Sequence, residues 1–196
     1  MPIRRFPVAP PPALAKIEQH AREQGFAMSC DHQTGALLRT LASSKPGGRF
    51  LEIGTGLGAA SAWLLDGMDA DSHLVSLEND ERLDGIARDI FGSDPRATFL
   101  SEDAERYLTG AAVSAQSFDL VFADAWPGKY SLLDDALGLV KPSGFYIIDD
   151  MLPQETWPDE HLPNAEALLN DLQKRAQFSV LALPSGSGVL VACRRP

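Results

Sequence analysis

The chain has 196 residues, 44% of them hydrophobic and 22% charged, a balance that suits one soluble globular domain and leaves little room for a second. Its formal net charge of −10 is the reverse of the basic footprint that broad nucleic-acid binding needs. No apolar run approaches the roughly 20 residues that span a bilayer, and Arg4 and Arg5 are not followed by the apolar stretch of a secretory signal, so no membrane partner and a cytoplasmic location are expected.

Five prolines fall between Pro2 and Pro12, so residues 1–12 predict an extended arm, and residues 13–196 one domain. Helices are expected over Ala13 to Gln24, ending at Gly25, and over Gln33 to Ser44, before the turn Lys45-Pro46-Gly47-Gly48. Short apolar runs bounded by Gly, Pro or acidic residues then predict strands at Arg49–Ile53, His73–Glu78, Ala97–Ser101, Phe118–Ala123 and Phe145–Asp149. Between them, Ala59–Leu65, Glu81–Phe91, Ala104–Leu108 and Leu132–Val140 have the length and apolar spacing of crossover helices, which parallel strands require. A further helix at Ala165–Ala176 precedes Phe178–Leu183 and Val189–Cys193, which only Pro184-Ser185-Gly186-Ser187-Gly188 separates, a hairpin signal. The fold class is therefore α/β, a Rossmann-like doubly wound sheet of seven strands whose last strand runs antiparallel. The two cysteines, Cys30 and Cys193, stand at opposite ends and form no metal motif with the histidines.

Phe50-Leu51-Glu52-Ile53-Gly54-Thr55-Gly56-Leu57-Gly58 sets a glycine-rich turn between a buried strand and a helix, the form of a nucleotide-binding loop. Glu78 ends the following strand, 24 residues beyond Gly54, where a carboxylate can accept both ribose hydroxyls. Nicotinamide enzymes share that acid, but their third glycine stands one position later, where this chain has Ala59. A carboxylate at Glu52 aimed at the ligand would repel a pyrophosphate and suit a sulfonium or an amino group, which favours S-adenosylmethionine. Glu102-Asp103-Ala104, after the third strand, suits contact with an adenine amino group or, equally, an acidic helix N-cap.

These segments, with Leu74 to Asn79, Phe118 to Trp126 and Leu139 to Asp150, resemble the small O-methyltransferases typified by catechol and caffeoyl-CoA O-methyltransferases, over about Met28 to Cys193. The resemblance implies the class I methyltransferase fold and S-adenosylmethionine as cofactor. It implies cofactor contacts from Met28, Glu52, Gly54, Thr55, Gly56, Gly58, Ser61, Glu78, Asn79, Asp103, Ala104, Asp124 and Trp126, the tryptophan packing along the adenine. It further implies a divalent metal, commonly Mg2+, on Asp124, Asp149 and Asp150. Adjacent strands lie about 4.8 Å apart, so carboxylates at their C-terminal ends can converge on one ion. Two departures stand out: Asp150 replaces an asparagine, and Pro127 occupies the place of the family's proposed lysine base, leaving Lys129 as the nearest candidate beside Asp124 as a catalytic residue.

The resulting expectation is metal-assisted O-methylation of a small hydroxylated, catechol-like acceptor, in a chain that pairs as a homodimer. Methylation of a tRNA hydroxyl, a cofactor-binding module without activity and, last, a nicotinamide dehydrogenase remain as alternatives. The acceptor is expected to meet Met1 to Ser29 and Leu152 to Pro163, with Trp157 and the proline arm as candidate covers.

Overall fold

The structure, a computed structural model, describes residues 8–110, 114–153 and 161–196. Seven strands form one sheet: β1 (Arg49–Ile53), β2 (His73–Glu78), β3 (Ala97–Ser101), β4 (Phe118–Ala123), β5 (Val140–Ile148), β6 (Phe178–Leu183) and β7 (Val189–Arg194). Their order is β3-β2-β1-β4-β5-β7-β6, with β7 antiparallel to both neighbours and all other pairs parallel. The helices are α1 (Leu14–Gln24), α2 (His32–Ser43), α3 (Ala59–Gly67), α4 (Glu81–Phe91), α5 (Ala104–Thr109), α6 (Leu133–Gly138) and α7 (His161–Lys174). Among the described residues, no helix is long and apolar enough to cross a membrane.

Side-chain alternation along the strands divides the core in two. Phe50, Leu120, Phe122 and Ile147 face one side, where α1 to α4 pack around the fully buried Trp63. Leu51, Ile53, Val121, Ala123 and Ile148 face the other, under α5, α6 and α7. Both faces are covered, which is why these strands read as nearly continuous apolar runs.

The elements follow the expected boundaries closely, with informative differences. β5 starts at Val140 rather than Phe145, because Val140 pairs with Phe118 before a register shift, and Ser143 takes φ +61 within it. That conversion of the Lys141-Pro142-Ser143-Gly144 turn into an irregular strand start also shortens α6. α7 holds the helix expected from Ala165 and ends at Lys174, two residues short of the expected Ala176. The part of the proline arm that is described is held against the body: Pro11 is buried, its carbonyl accepts from Leu14 N at 3.0 Å, and Arg39 donates to the Ala9 carbonyl at 3.0 Å. Residues 1–7 of that arm, and Trp157 with residues 154–160, lie outside the described residues.

Candidate active site

The C-terminal ends of the parallel strands share one rim. Ile53 is registered with Ala123 and Ala123 with Ile148, so the next residues, Gly54, Asp124 and Asp149, come up side by side. Asp124 N donates to the Ile53 carbonyl at 2.9 Å and Asp149 N to the Ala123 carbonyl at 3.3 Å, extending the ladders past the strand ends. The glycine loop folds over β2, both Gly54 N and Thr55 N donating to the Leu77 carbonyl at 3.0 Å.

A cavity of about 390 Å³ opens on this rim, inside the range of roughly 300–1,000 Å³ usual for small-molecule sites. Nine of the expected cofactor residues line it: Met28, Gly54, Thr55, Gly56, Glu78, Asn79, Asp103, Ala104 and Asp124. Gly54 has φ +99, and a Cβ there would stand 2.7 Å from the Asp124 carbonyl oxygen, so a side chain is excluded twice over. Glu78 accepts Gly56 N at 2.8 Å on one oxygen and Asn79 N and Asp80 N at 3.0 Å on the other. It clamps the loop and keeps lone pairs for a ligand. Asp103 lines the cavity and also caps α5, accepting Glu105 N at 2.8 Å and Arg106 N at 3.1 Å, so its N-cap reading holds.

The other four expected residues stand elsewhere. Glu52 does not face the cavity; by strand parity it shares the helix side with Phe50 and is fully buried beneath α3. Its Oε2 accepts from Ser61 and Ser76, so Ser61, also fully buried, serves Glu52 and not the cavity. Gly58 starts α3 with φ +90, and a Cβ would meet Phe91 at 3.0 Å, so its freedom serves helix packing. Trp126 packs edge-on against Tyr130, with ring centroids 4.9 Å apart, and against His161 at 6.3 Å, in an aromatic cluster beside the cavity.

Phe26, Cys30 and Ala125, to which sequence reasoning gave no individual role, also line the cavity, together with Pro127 and Asp150, which it had placed at this rim for other reasons. Cys30 precedes α2, whose N-cap Asp31 accepts Gln33 N and Thr34 N and so fixes the approach of Met28 to Cys30. Burial, and then the carboxylates of Asp149, Asp124, Asp31 and Glu52, push the Cys30 thiol up, which leaves it unreactive.

The electrostatics are lopsided. Six carboxylates line the cavity, those of Glu78, Asp80, Glu102, Asp103, Asp124 and Asp150, and no Lys, Arg or His is among the described lining residues. Burial raises Glu52 to about 7, against the opposing hydrogen bonds from Ser61 and Ser76, and leaves Oε1 buried without a partner. Burial also pushes Asp124 well above the carboxylate range; Lys129 pulls it back, while Asp149, Asp150 and Glu52 add to the rise. Asp149 is raised to about 6 by burial, opposed by its bond from Ser187. Lys129 Nζ stands 3.8 Å from Asp124 Oδ1, its side chain 4% exposed.

The three aspartates expected to hold a metal are not gathered. Among the described residues, no group of three or more His, Cys, Asp or Glu stands close enough to hold an ion. Asp149 is buried and accepts from Ser187 Oγ and from Asp150 N at 2.9 Å, whereas Asp150, at φ +59, lines the cavity.

The site does fit the other expected group. The glycine cradle, the clamp at Glu78 and the surplus of carboxylates suit a nucleoside bearing a positive sulfonium and ammonium, and are hostile to a pyrophosphate. Class I methyltransferases characteristically turn the last strand of such a sheet against the rest, and that is the class of protein defined by this fold and site. The chain belongs to the methyltransferase-domain family: the family profile of that description matches residues 51–151, just over half its length.

A Mycolicibacterium vanbaalenii protein named "Putative O-methyltransferase" is 28% identical over 170 residues, 82% of this chain and 74% of that protein. The O-methyltransferase of Bacillus cereus, solved in complex with SAH, superposes with a TM-score of 0.82 at 22% identity, covering 98% of this chain and 94% of that one. O-methyltransferase TomG of Streptomyces achromogenes, involved in tomaymycin synthesis and solved with SAM, gives 0.80 at 23%, covering 96% and 92%. The latter two show the shared fold. These relatives and structural neighbours bear O-methyltransferase names, in line with the resemblance read from the sequence, and the chain is a methyltransferase by family and fold.

Proposed function

We propose that the chain transfers a methyl group from S-adenosylmethionine to oxygen, and that the acceptor is a small molecule with an ionisable hydroxyl on a planar ring, catechol-like compounds included, methylated where the cavity meets the loop that carries Lys129. The observation that carries the reading is the cavity lining, six carboxylates and no Lys, Arg or His among the described residues, ending at Asp124, Pro127 and Asp150. The adjoining rings of Trp126, Tyr130 and His161 offer an aromatic wall for a planar acceptor. The net charge of −10 favours such an acceptor over tRNA.

Bound here, S-adenosylmethionine would supply an electrophilic methyl on a sulfonium sulfur, which an acceptor oxygen displaces to leave a neutral thioether. Met28, Gly54, Gly56, Glu78, Asn79 and Asp103 would hold it. Asp124, lifted by burial, is placed to take the proton of the acceptor hydroxyl, and the Lys129 ammonium beside it stabilises the oxygen anion that remains. Proximity of that oxygen to the methyl carbon supplies most of the remaining acceleration. No step is assigned to a metal.

The test is transfer of label from S-adenosylmethionine to a panel of phenols and catechols, with calorimetry of S-adenosylhomocysteine in parallel. Binding with turnover of at least one ring hydroxyl is expected. Binding with no transfer to any member would reject the acceptor class, and absence of binding would reject the cofactor site.

A further inference from the structure

We infer that Lys129 occupies the cation position of the acceptor site, so that the enzyme neither needs nor admits a divalent metal there. The inference rests on reading the cavity as the methyl-donor site. It is carried by the groups that already stand against Asp124 and Asp149.

Asp124, the first carboxylate a metal would use, has the Lys129 ammonium 3.8 Å from its Oδ1, on a side chain that is only 4% exposed. A buried ammonium is stable only beside its counter-charge, so it does not swing aside as a surface lysine does. Its loop is tied down as well. Lys129 N and Tyr130 N donate to the Trp126 carbonyl at 3.2 and 3.0 Å, Gly128 N donates to the Ser131 carbonyl at 2.7 Å, and Tyr146 Oη donates to the Gly128 carbonyl at 2.6 Å.

Asp149, the second carboxylate, is engaged by neutral donors. Ser187 Oγ and Asp150 N both donate to its Oδ1. Ser187 sits in the β6–β7 turn, which is fixed by Leu152 N donating to the Ser187 carbonyl at 2.7 Å and Met151 N to the Gly188 carbonyl at 3.0 Å. Asp149 is 2% exposed while its neighbour Asp150 lines the cavity.

Hard divalent cations take about six or more oxygen ligands at roughly 2.0–2.6 Å. An ion on Asp124 would have to displace the ammonium or sit against its charge in a poorly screened interior. The substitution also changes what the site selects. A metal recognises two neighbouring oxygens by chelation, whereas an ammonium recognises a single oxygen anion. The acceptor class is therefore an aromatic ring with one ionisable hydroxyl, for which a second adjacent hydroxyl brings no advantage.

The test uses Mn2+ as a paramagnetic probe on the full chain saturated with S-adenosylhomocysteine, the latter checked by calorimetry. The wild type is expected to show no saturable Mn2+ signal at this site, and Lys129→Arg, which keeps the charge, to be equally silent. Lys129→Met, which removes the ammonium beside the Asp124 carboxylate, should be the one protein of the three to show saturable Mn2+ binding. Saturable Mn2+ binding to the wild type, or a folded Lys129→Met as silent as the wild type, would overturn the inference. Should Lys129→Met fail to fold, the wild type and Lys129→Arg still decide it, since Mn2+ binding to either contradicts a site already filled. Failure of S-adenosylhomocysteine to bind would instead strike at the cofactor reading, and is scored separately.

Discussion

Gly35 of α2 lies so close to Trp63 of α3 that a Cβ on the glycine would collide with Cδ1 and Nε1 of the indole. A helix-interior glycine normally costs about 1 kcal/mol relative to alanine, so its presence here is explained by packing. The indole is fully buried, with Arg39 stacked 4.9 Å from its ring centre, and it has nowhere to retreat. Gly35→Ala is therefore expected to destabilise by about 1–3 kcal/mol through overpacking. Gly85, inside α4, has open space around its Cβ position, and Gly85→Ala should stabilise by roughly 0.4–1 kcal/mol. Urea unfolding of both variants checks the pair, and equal signs would refute the packing argument.

Glu52 predicts a pH dependence of stability. Its folded value, about 7, lies above the ordinary 4.5, so the folded state holds the proton more tightly than the unfolded one. This favours folding fully below pH 4.5, is lost as the pH rises from 4.5 to about 7, and leaves a constant deficit above. The deficit is on the order of 3 kcal/mol. Asp149, raised to about 6, acts in the same direction, so the wild-type curve alone does not isolate Glu52. Glu52→Gln does: relative to the wild type it should gain about 2–3 kcal/mol between roughly pH 5 and pH 8. Denaturant titrations of both proteins at the two pH values measure it, and parallel curves would show that Glu52 ionises normally.

Gly54→Ala tests the cradle. The substitution forces an L-residue to φ +99 and sets a methyl 2.7 Å from a backbone oxygen that cannot yield easily. Strain of about 1–3 kcal/mol should fall on the loop and weaken S-adenosylhomocysteine about tenfold or more. Calorimetry decides it; unchanged affinity would mean that the loop does not shape the ligand site.

Much of this fold was legible because burial on both sheet faces leaves uninterrupted apolar strands between turn residues. The irregular start of β5 was not, since Lys141-Pro142-Ser143-Gly144 reads as a turn and only the pairing of Val140 with Phe118 makes it strand. In the site, the glycine loop and the acid after β2 were plain from spacing. Glu52 was misplaced although parity with Phe50 was available to show which face it takes. The burial of Lys129 depends on a loop reversal at Gly128, φ +86, and the hold on Asp149 on Ser187, 38 residues away. Neither contact has a local sequence signal, so neither could be read beside the aspartates that suggested a metal.

Tyr146 offers a way to disturb Lys129 without touching it. The tyrosine is fully buried in β5, burial keeps its hydroxyl protonated, and Oη donates to the Gly128 carbonyl at 2.6 Å. Gly128 stands between Pro127, which lines the cavity, and Lys129, and its φ of +86 is held partly by this bond. Tyr146→Phe keeps the packing and removes only the donor, so it should cost about 1–2 kcal/mol of stability. Because the loop relaxes on the acceptor side, the transfer rate should fall while S-adenosylhomocysteine, held mainly by the β1 and β2 loops, binds as before. A variant that loses stability but keeps its full transfer rate would show that Lys129 is positioned by its ion pair with Asp124 alone, and not by the strand beneath it.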